Sequence, residues 1–329
     1  MIKMLIVSPS PHIHSGRSVK QIMYSVLLAL IPAFVVSLYV FGIAALQLTV
    51  IAIVSCMFFE FAIQKFLLKT DKQSYTDGSA AITGVLLAFN VPSSLPVWML
   101  VLGCFIAIGV GKMTFGGLGN NPFNPALVGR VFLLISFPVQ MTNWPMPHLS
   151  DLIDAQSGAT PLSLMKEGLA RGESVSSIMK SVPSYSALFF GLKGGSLGEV
   201  SVLALLMGGA FMLYRKIISW HIPISILATM FLFSGILYIY DPNSFVFPLF
   251  HLLSGGTMLA VFFMATDMVT SPMSKPGMLV YGVFIGLITI IIRDFGAYPE
   301  GISFAILFMN ALVPLINKYI KPQRFGHKK

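Results

Sequence analysis

The stretch IMYSVLLALIPAFVVSLYVF, residues 22–41, and the stretch IAALQLTVIAIVSCMFFEFAIQKF, residues 43–66, decide the fold class of this chain. The first contains no charged side chain, and the second contains only Glu60 and Lys65. An α-helix rises about 1.5 Å per residue, so about 20 apolar residues cross the ~30 Å hydrocarbon core of a bilayer. Both stretches therefore predict transmembrane helices.

The composition excludes a soluble globular protein. Hydrophobic residues make up 56% of the 329 residues and charged residues only 10%, with a mean hydropathy of +0.83. Soluble domains carry about 25% charged residues. The only cysteines, Cys56 and Cys104, lie in apolar runs, which excludes a disulfide scaffold and a cysteine-ligated cluster built by this chain alone. The net charge of +9 comes from basic residues in short loops, which indicates a membrane protein and not nucleic-acid binding.

Ten apolar runs, five in each half, predict an all-α polytopic membrane protein of about ten transmembrane helices. We expect spans at residues 22–41, 43–66, 79–91, 96–112, 124–140, 197–214, 221–239, 247–265, 277–293 and 302–320. The third run has only 13 residues, so it is either extended by its flanks or forms a half-helix that lines a cavity. No small-residue cleavage site follows the first run, so we expect it to be retained and not removed as a signal peptide.

The basic residues predict the orientation of these spans. Nearly all lysines and arginines of the short segments fall on the side of the amino terminus, and Arg293 alone falls in a short loop on the other side. Since basic loops face the cytoplasm, we expect a bacterial inner-membrane protein with both termini cytoplasmic. The chain then divides into a first membrane half, residues 1–140, an outward-facing segment, residues 141–196, and a second membrane half, residues 197–329.

The two halves share short sequence patterns. In the first half these begin at Gly78-Ser-Ala-Ala-Ile-Thr-Gly, Phe115-Gly116 and Asn124-Pro-Ala-Leu-Val, and in the second at Gly255-Gly-Thr-Met-Leu-Ala, Phe295-Gly296 and Asn310-Ala-Leu-Val. Five spans in each copy would turn one copy upside down relative to the other. The pattern therefore predicts two inverted five-helix repeats, with broken helices and a site near the pseudo-twofold axis.

The outward segment contains the string Asp154-Ala-Gln-Ser-Gly-Ala-Thr-Pro-Leu-Ser163. Gly158 and Ala159 remove bulk around the Thr160 hydroxyl, Pro161 favours an extended backbone at Thr160, and Asp154 supplies a carboxylate. Two interpretations follow from these residues. Either the hydroxyl is presented for chemistry, or the string is a polar turn and helix start with Ser and Thr as caps.

Residues 154–160, Asp-x-x-Ser-Gly-Ala-Thr, resemble the flavinylation motif of membrane redox subunits. The whole chain is similar to the NqrB/RnfD family through this string, the Tyr75-Thr-Asp-Gly78 entry, the loop at 115–126, and Ala265-Thr-Asp267 with Thr270-Ser-Pro272. The resemblance implies FMN joined through its phosphate to Thr160, with Asp154, Ser157, Gly158 and Ala159 around it. It also implies a second, non-covalent flavin, riboflavin, in the membrane part.

The resemblance further implies an electron relay in a machine that moves electrons between ferredoxin and NAD and exports sodium or protons. The short polar segment before the first span favours the Rnf branch over the B subunit of the sodium-pumping NADH:quinone reductase, which has a longer extension. Because the chain lacks a nucleotide fingerprint and a cysteine cluster, we expect other subunits to supply nucleotide binding and iron–sulfur centres. The resemblance implies that the partners include iron–sulfur subunits, a second flavinylated subunit and a flavin transferase, besides membrane lipid. A channel-like small-solute transporter is the rival from another class.

The loop at residues 115–126 is a second candidate site. Its glycines and prolines flank paired asparagines and predict non-helical backbone at membrane depth, which is tolerated only in a cavity wall or inside protein. Asn120, Asn121 and Asn124 offer hydrogen bonds to the edge of a flavin ring. A helix-capping turn is the alternative.

Ionisable residues inside spans are costly and are therefore functional candidates. Glu60 either relays an ion or reaches the membrane edge, and Arg130 either balances an anionic flavin or extends its long stem to water. Asp77 and Asp267 are interpreted either as helix caps or as ion ligands. His251 is interpreted as a hydrogen-bonded interior histidine, and no metal site is predicted.

Overall fold

A computed structural model describes residues 18–69, 74–145, 157–191, 194–199 and 201–321 of the chain, which are mostly helical. The α-helices are α1 Val19–Phe41, α2 Ile43–Ala62, α3 Ser79–Phe89, α4 Val97–Gly109, α5 Pro125–Ser136, α6 Pro138–Thr142, α7 Pro161–Ala170, α8 Val175–Ile178, α9 Tyr185–Phe190, α10 Val202–Tyr214, α11 His221–Tyr240, α12 Pro248–Leu253, α13 Thr257–Leu259, α14 Lys275–Phe295 and α15 Ile302–Tyr319. The π-helical turns Ile63–Leu67 and Ala260–Met264 extend α2 and α13, and 3₁₀ turns span Ser74–Thr76 and Met113–Phe115. Two short strands, β1 Trp144–Pro145 and β2 Ser157–Gly158, pair antiparallel.

Among the described residues, six helices are long and apolar enough to cross a membrane. They are Val19–Phe41, Ile43–Leu67, Val97–Phe115, His221–Tyr240, Lys275–Phe295 and Ile302–Tyr319. The shorter helices α3, α5 and α10 are apolar as well. The structure confirms a polytopic helical membrane protein, and the count of ten crossings stays a prediction.

The run at 247–265, predicted as one span, is divided in two. Helix α12 ends at Leu253 and α13 begins at Thr257. Between them, Gly255 has a φ of 63°, in the left-handed region that favours glycine. The second half therefore contains a broken helix where the sequence alone suggests continuity.

In two other predicted spans, the helix in the structure is shorter than the apolar stretch of sequence. In the run at 124–140, α5 ends at Ser136 and α6 begins at Pro138, because proline cannot donate the hydrogen bond that would continue α5. In the run at 197–214, α10 begins only at Val202, where the hydroxyl of Ser201 accepts from the backbone N–H of Ala204 at 3.3 Å.

The short helices α3 and α13, the latter with its π-helical extension, lie at the centre of the bundle, and the long helices surround them. Residues 257–265 are all buried, and α3 is buried along most of its length. By contrast, α1, α2 and α11 expose large apolar side chains such as Tyr39, Val54 and Ile236, as expected of surfaces that face lipid. The broken helix α12–α13 and the short helix α3 are thereby shielded from lipid.

We call the end of the bundle at which α1 begins the near end, and the end at which α1 stops the far end. Helices α3, α5, α11 and α14 also begin at the near end, and α10 and α15 stop there. The helix α7 lies at the far end, where it contacts the break between α12 and α13.

Close helix contacts depend on glycine. A Cβ atom at Gly208 on α10 would overlap the carbonyl oxygen of Ala29 on α1, and one at Gly84 on α3 would lie 2.7 Å from the carbonyl oxygen of Ala52 on α2. Small residues let helix backbones approach closely in membranes. These contacts join α10 to α1 and α3 to α2.

We expect Gly208→Ala to lower the free energy of unfolding by about 1–3 kcal/mol, because the new methyl group meets rigid backbone. Gly235→Ala on α11 is the matched control, since its Cβ would lie 3.5 Å from Pro248, an ordinary contact. Thermal unfolding of the purified chain in detergent measures both. Equal stability of the two variants would contradict this account of the α1–α10 contact.

Candidate functional site

Thr160 is the N-cap of α7. Its backbone is extended, with φ −64° and ψ 157°, as Pro161 at the next position favours. Its hydroxyl accepts from the backbone N–H of Ser163 at 3.1 Å and lies 2.9 Å from the Ser163 hydroxyl. Thr160 is only 4% exposed. The structure therefore gives this hydroxyl the capping geometry that the sequence left open as one of two alternatives.

The residues before Thr160 are held by the short strand pair. Ser157 and Gly158 form β2, and Trp144 on β1 lies opposite Gly158. Ala159 links β2 to Thr160 and is half-buried. Asp154 lies outside the described residues, so its predicted place beside Thr160 stays a prediction.

Thr160 and Arg130 line one small cavity of about 30 Å³, together with Trp144, Met141 and Glu300. Arg130 lies on α5 and is 3% exposed. This cavity connects the predicted attachment residue with the charged interior of the bundle.

The Arg130 guanidinium does not extend to water. It donates to the carboxylate of Glu300 and to the hydroxyl of Ser303, and it lies 3.9 Å from the carboxylate of Glu199. Buried charges persist when they are paired and hydrogen-bonded. The structure contradicts the interpretation in which the Arg130 side chain extends to water. The anions that surround its guanidinium are the carboxylates of Glu300 and Glu199.

Arg293 holds the break between α12 and α13. The sequence placed it in a short loop, which is wrong, since it lies in the last turn of α14 and is 6% exposed. Its guanidinium donates to the carbonyl of His251 at 2.6 Å and to the hydroxyl of Thr257 at 2.8 Å. It therefore forms hydrogen bonds with groups at the end of α12 and at the start of α13 at the same time. Because Arg293 is buried inside the bundle, it no longer counts as a basic residue in a loop on the side opposite the amino terminus.

His251 is buried on α12, which confirms its predicted interior position, but its ring makes no hydrogen bond within the part of the chain that the structure describes, so that part of the prediction is wrong. His251 is 3% exposed, and its Nε2 lies 3.7 Å from a carboxylate oxygen of Asp294. Its backbone carbonyl, rather than its ring, receives the bond from Arg293.

Helix α7 lies directly over this break. Leu162 on α7 lies so close to Gly255 that a Cβ atom there would be 2.7 Å from its Cδ1. Lys166, one turn further, donates to the carbonyl of Tyr298 at 2.9 Å and to that of Arg293 at 3.4 Å. Burial lowers the pKa of the Lys166 ammonium, and the nearby Asp294 carboxylate opposes that shift. The helix that begins at Thr160 is thus fixed to the broken helix.

The start of α3, at the near end, has a matching arrangement. Lys112, just after α4, donates to the hydroxyl of Ser79 at 2.7 Å and to the carboxylate of Glu60 at 2.7 Å. Asp77 accepts from the backbone N–H of Ser79 at 2.7 Å, so it acts as a cap. Glu60 is 0% exposed, which contradicts the alternative that it reaches the membrane edge.

A cavity of about 90 Å³ lies beside these groups at the near end. Its polar walls include Lys112, Thr83 and Asp267, and Phe262 and Phe263 supply apolar walls. The Asp267 carboxylate accepts from the backbone N–H of Val269 at 3.3 Å, as a cap does.

Two of the three candidate asparagines line this cavity. The Asn124 side chain caps α5, accepting from the N–H of Ala126 at 3.0 Å, and also donates to the carbonyl of Met264 at 3.2 Å. Asn121 is buried, and its side-chain oxygen accepts no hydrogen bond from the part of the chain that the structure describes. Asn120 is exposed and does not line the cavity. The loop therefore combines the cap and the cavity wall that the sequence offered as alternatives.

Several residues of these clusters were not found from sequence. Lys112, Glu199 and Glu300 carry no local motif, whereas Thr257 and Asn310 stand in the repeat patterns but were given no role there. The one available signal was charge, since a cation at the end of an apolar run needs an acid elsewhere. The linear sequence does not show which acid it meets.

We expect Lys112→Met to lower the free energy of unfolding by about 3–5 kcal/mol, because Glu60 then remains buried without its cation. The double variant Glu60→Leu, Lys112→Met should recover most of this loss. Thermal unfolding in detergent measures both, with Lys65→Met, an exposed lysine on the same helix as Glu60, as the control. A double variant no more stable than the single one would contradict the pairing.

Comparison with known proteins places the chain among membrane redox subunits. The model of the NQR2, RnfD, RnfE family matches residues 6–326. The D subunit of an Na(+)-translocating ferredoxin:NAD(+) oxidoreductase complex from Acetobacterium woodii is 45% identical over 98% of this chain and 95% of its own length. The D subunit of a proton-translocating ferredoxin:NAD(+) oxidoreductase complex from Clostridium ljungdahlii is 39% identical over 98% of this chain and 96% of its own.

A third relative, the D subunit of an ion-translocating oxidoreductase complex from Escherichia coli, is 39% identical over 98% of this chain and 99% of its own length. The match therefore spans both membrane halves and the segment between them. This chain belongs to the NQR2, RnfD, RnfE family.

Proposed function

We propose that this chain is the D-type membrane subunit of an ion-translocating ferredoxin:NAD(+) oxidoreductase complex, which relays electrons and helps couple their flow to export of sodium or protons. The observation that carries the proposal is its similarity, over nearly the full length of both chains, to subunits with that name. The subunit is one part of an oxidoreductase and is not catalytically complete alone.

Ten crossings in two inverted repeats are part of this proposal. Equivalent helices make equivalent contacts: α2 packs on α3 and α4, as α11 packs on α12 and α14, and α1 packs on its counterpart α10. The hydroxyls of Ser79 and Thr257, at the starts of α3 and α13, each accept from a buried cation, Lys112 or Arg293. These two sites lie at opposite ends of the bundle, as inversion requires.

A contact between equivalent residues supports the same symmetry. Asn310, the counterpart of Asn124, accepts from the backbone N–H of Asn124 at 3.1 Å when its amide is oriented to satisfy all its neighbours, which include the Tyr281 hydroxyl at 2.7 Å. Contact between equivalent residues is expected at a pseudo-twofold axis. We place the near end in the cytoplasm of a bacterium and residues 141–196 on the outer side of its inner membrane.

FMN on Thr160 is the second part of the proposal. The hydroxyl lies at the N-terminus of α7, where backbone N–H groups and the helix dipole favour an anion such as a phosphoester. The cavity of about 30 Å³ holds about one water molecule, so the flavin ring would lie outside it. When bound, the flavin supplies one- and two-electron transfer, while the protein supplies position and electrostatics.

Riboflavin in the near-end cavity is the third part. The Asn121 side-chain oxygen, the Thr83 hydroxyl and the Phe262 and Phe263 rings suit the polar edge and apolar faces of a flavin. Ile22 and Leu118 also line this cavity of about 90 Å³.

Other subunits must provide the remaining redox centres. No group of three or more His, Cys, Asp or Glu side chains among the described residues is placed to hold a metal ion. We therefore propose iron–sulfur subunits and a second flavinylated subunit as partners, and a flavin transferase that modifies Thr160.

Thr160→Ala should abolish the flavin fluorescence of this subunit on a denaturing gel, because the ester has no other hydroxyl at that position. Thr160→Ser is the matched control and should keep a fluorescent band. Both are expressed in a host with the flavin transferase, and the mass of the peptide that spans residue 160 is measured in parallel. A dark band and an unmodified peptide from the unaltered chain would favour the channel-like transporter instead.

Asn121→Leu should abolish binding of the non-covalent flavin, which denaturation would otherwise release. The substitution deletes the side-chain oxygen that accepts no hydrogen bond from the described residues and that faces the near-end cavity. Asn120→Leu, on the exposed neighbour, should leave that flavin in place. Flavin in the supernatant after acid precipitation is measured by fluorescence per mole of protein. Equal release from the two variants would mean that this cavity is not the second flavin site.

A further inference from the structure

A groove of about 840 Å³ opens at the near end, between the connection from α10 to α11 and the segment that leads into α14. We call it the near-end groove. Its lining residues include Lys216, Trp220, Met273 and Lys275. It is separate from the site of Thr160, which lies at the far end.

The chemistry of the groove is amphipathic and positive. Lys216 and Lys275 stand on its two sides, and none of its lining residues is acidic. Trp220, 51% exposed, and Met273, 78% exposed, give it apolar walls. An occupant with one negative group and long apolar chains matches both properties.

The groove lies where lipid headgroups are expected. Helix α10 stops there at Tyr214, and α11 and α14 begin there at His221 and Lys275. Tyr214 is 86% exposed, and exposed Trp and Tyr at helix ends are typical of the membrane interface. Lysines near this interface attract anionic lipids.

The groove continues onto a surface suited to acyl chains. Along α11, Ile224, Leu232 and Ile236 are between 53% and 64% exposed and form an apolar face outside the bundle. We propose that the near-end groove binds one anionic phospholipid. Its phosphate lies between Lys216 and Lys275, and its acyl chains run along α11 past Trp220.

The test uses the full chain within its complex, loaded in detergent with equal amounts of phosphatidylglycerol and phosphatidylcholine of the same acyl chains. Native mass spectrometry of the released subunit should show phosphatidylglycerol retained preferentially. The double variant Lys216→Gln, Lys275→Gln should weaken that retention about 25-fold, from the ordinary contribution of two lysines at a charged membrane surface.

Two controls make the result specific. Lys318→Gln, also a near-end lysine but outside the groove, should retain the lipid as the unaltered chain does. The double variant Lys216→Arg, Lys275→Arg keeps both charges and should also retain it, which separates loss of charge from loss of fold. Millimolar free phosphate should not displace the lipid.

Equal retention of the two lipids by the unaltered chain would overturn the proposal. The proposal would be overturned equally if the glutamine double variant kept its preference for phosphatidylglycerol.

Discussion

An interrupted helix inside an apolar bundle leaves backbone carbonyls and N–H groups that neither water nor lipid satisfies. The second half of this chain meets that constraint with one side chain. Arg293 donates to the carbonyls of His251 and Ser254 at the end of α12 and to the hydroxyl of Thr257 at the start of α13. The guanidinium suits this task because its planar fork presents several donors in fixed directions. Arg293 fixes α14 to the break, and α7 contacts the same place through Leu162 and Lys166.

A buried guanidinium needs acids nearby, and the far end of the bundle supplies them. Glu199, Glu300 and Asp294 surround Arg130 and Arg293, and the carboxylate of Glu199 lies against Gly256 at the N-terminus of α13. Removing one partner from such a cluster costs far more than the net stability that the pairing contributes. The cluster therefore specifies how the loops before α10 and α15 meet the broken helix. Because Leu162 and Lys166 fix α7 to the same place, the proposed flavin attachment at Thr160 starts on rigid structure.

The near end uses the same kind of arrangement with different residues. Lys112 replaces the guanidinium, Ser79 replaces Thr257, and Glu60 supplies the charge. Since an ammonium is a compact charge and not a planar fork, it holds the start of one helix and does not bridge two. The two ends thus share a principle, and among the described residues the break within residues 247–265 lies at the far end. Asn124 at the start of α5 and Asn310 on α15 contact each other inside the bundle.

Local sequence properties were enough to establish the helical membrane class, most of the long helices, the short helix at residue 79 and the family. Apolar length sets a span, and a motif of consecutive residues is visible without a fold. The same properties identified Thr160, Asn124 and His251 as residues of interest, although they could not choose between cap and cavity wall. Only the folded chain shows that Arg293 is buried, that Glu60 meets Lys112, and that Arg130 meets Glu300. These contacts join residues 42 to 170 positions apart, and an apolar environment fixes them because a buried charge must find its partner wherever the chain brings one.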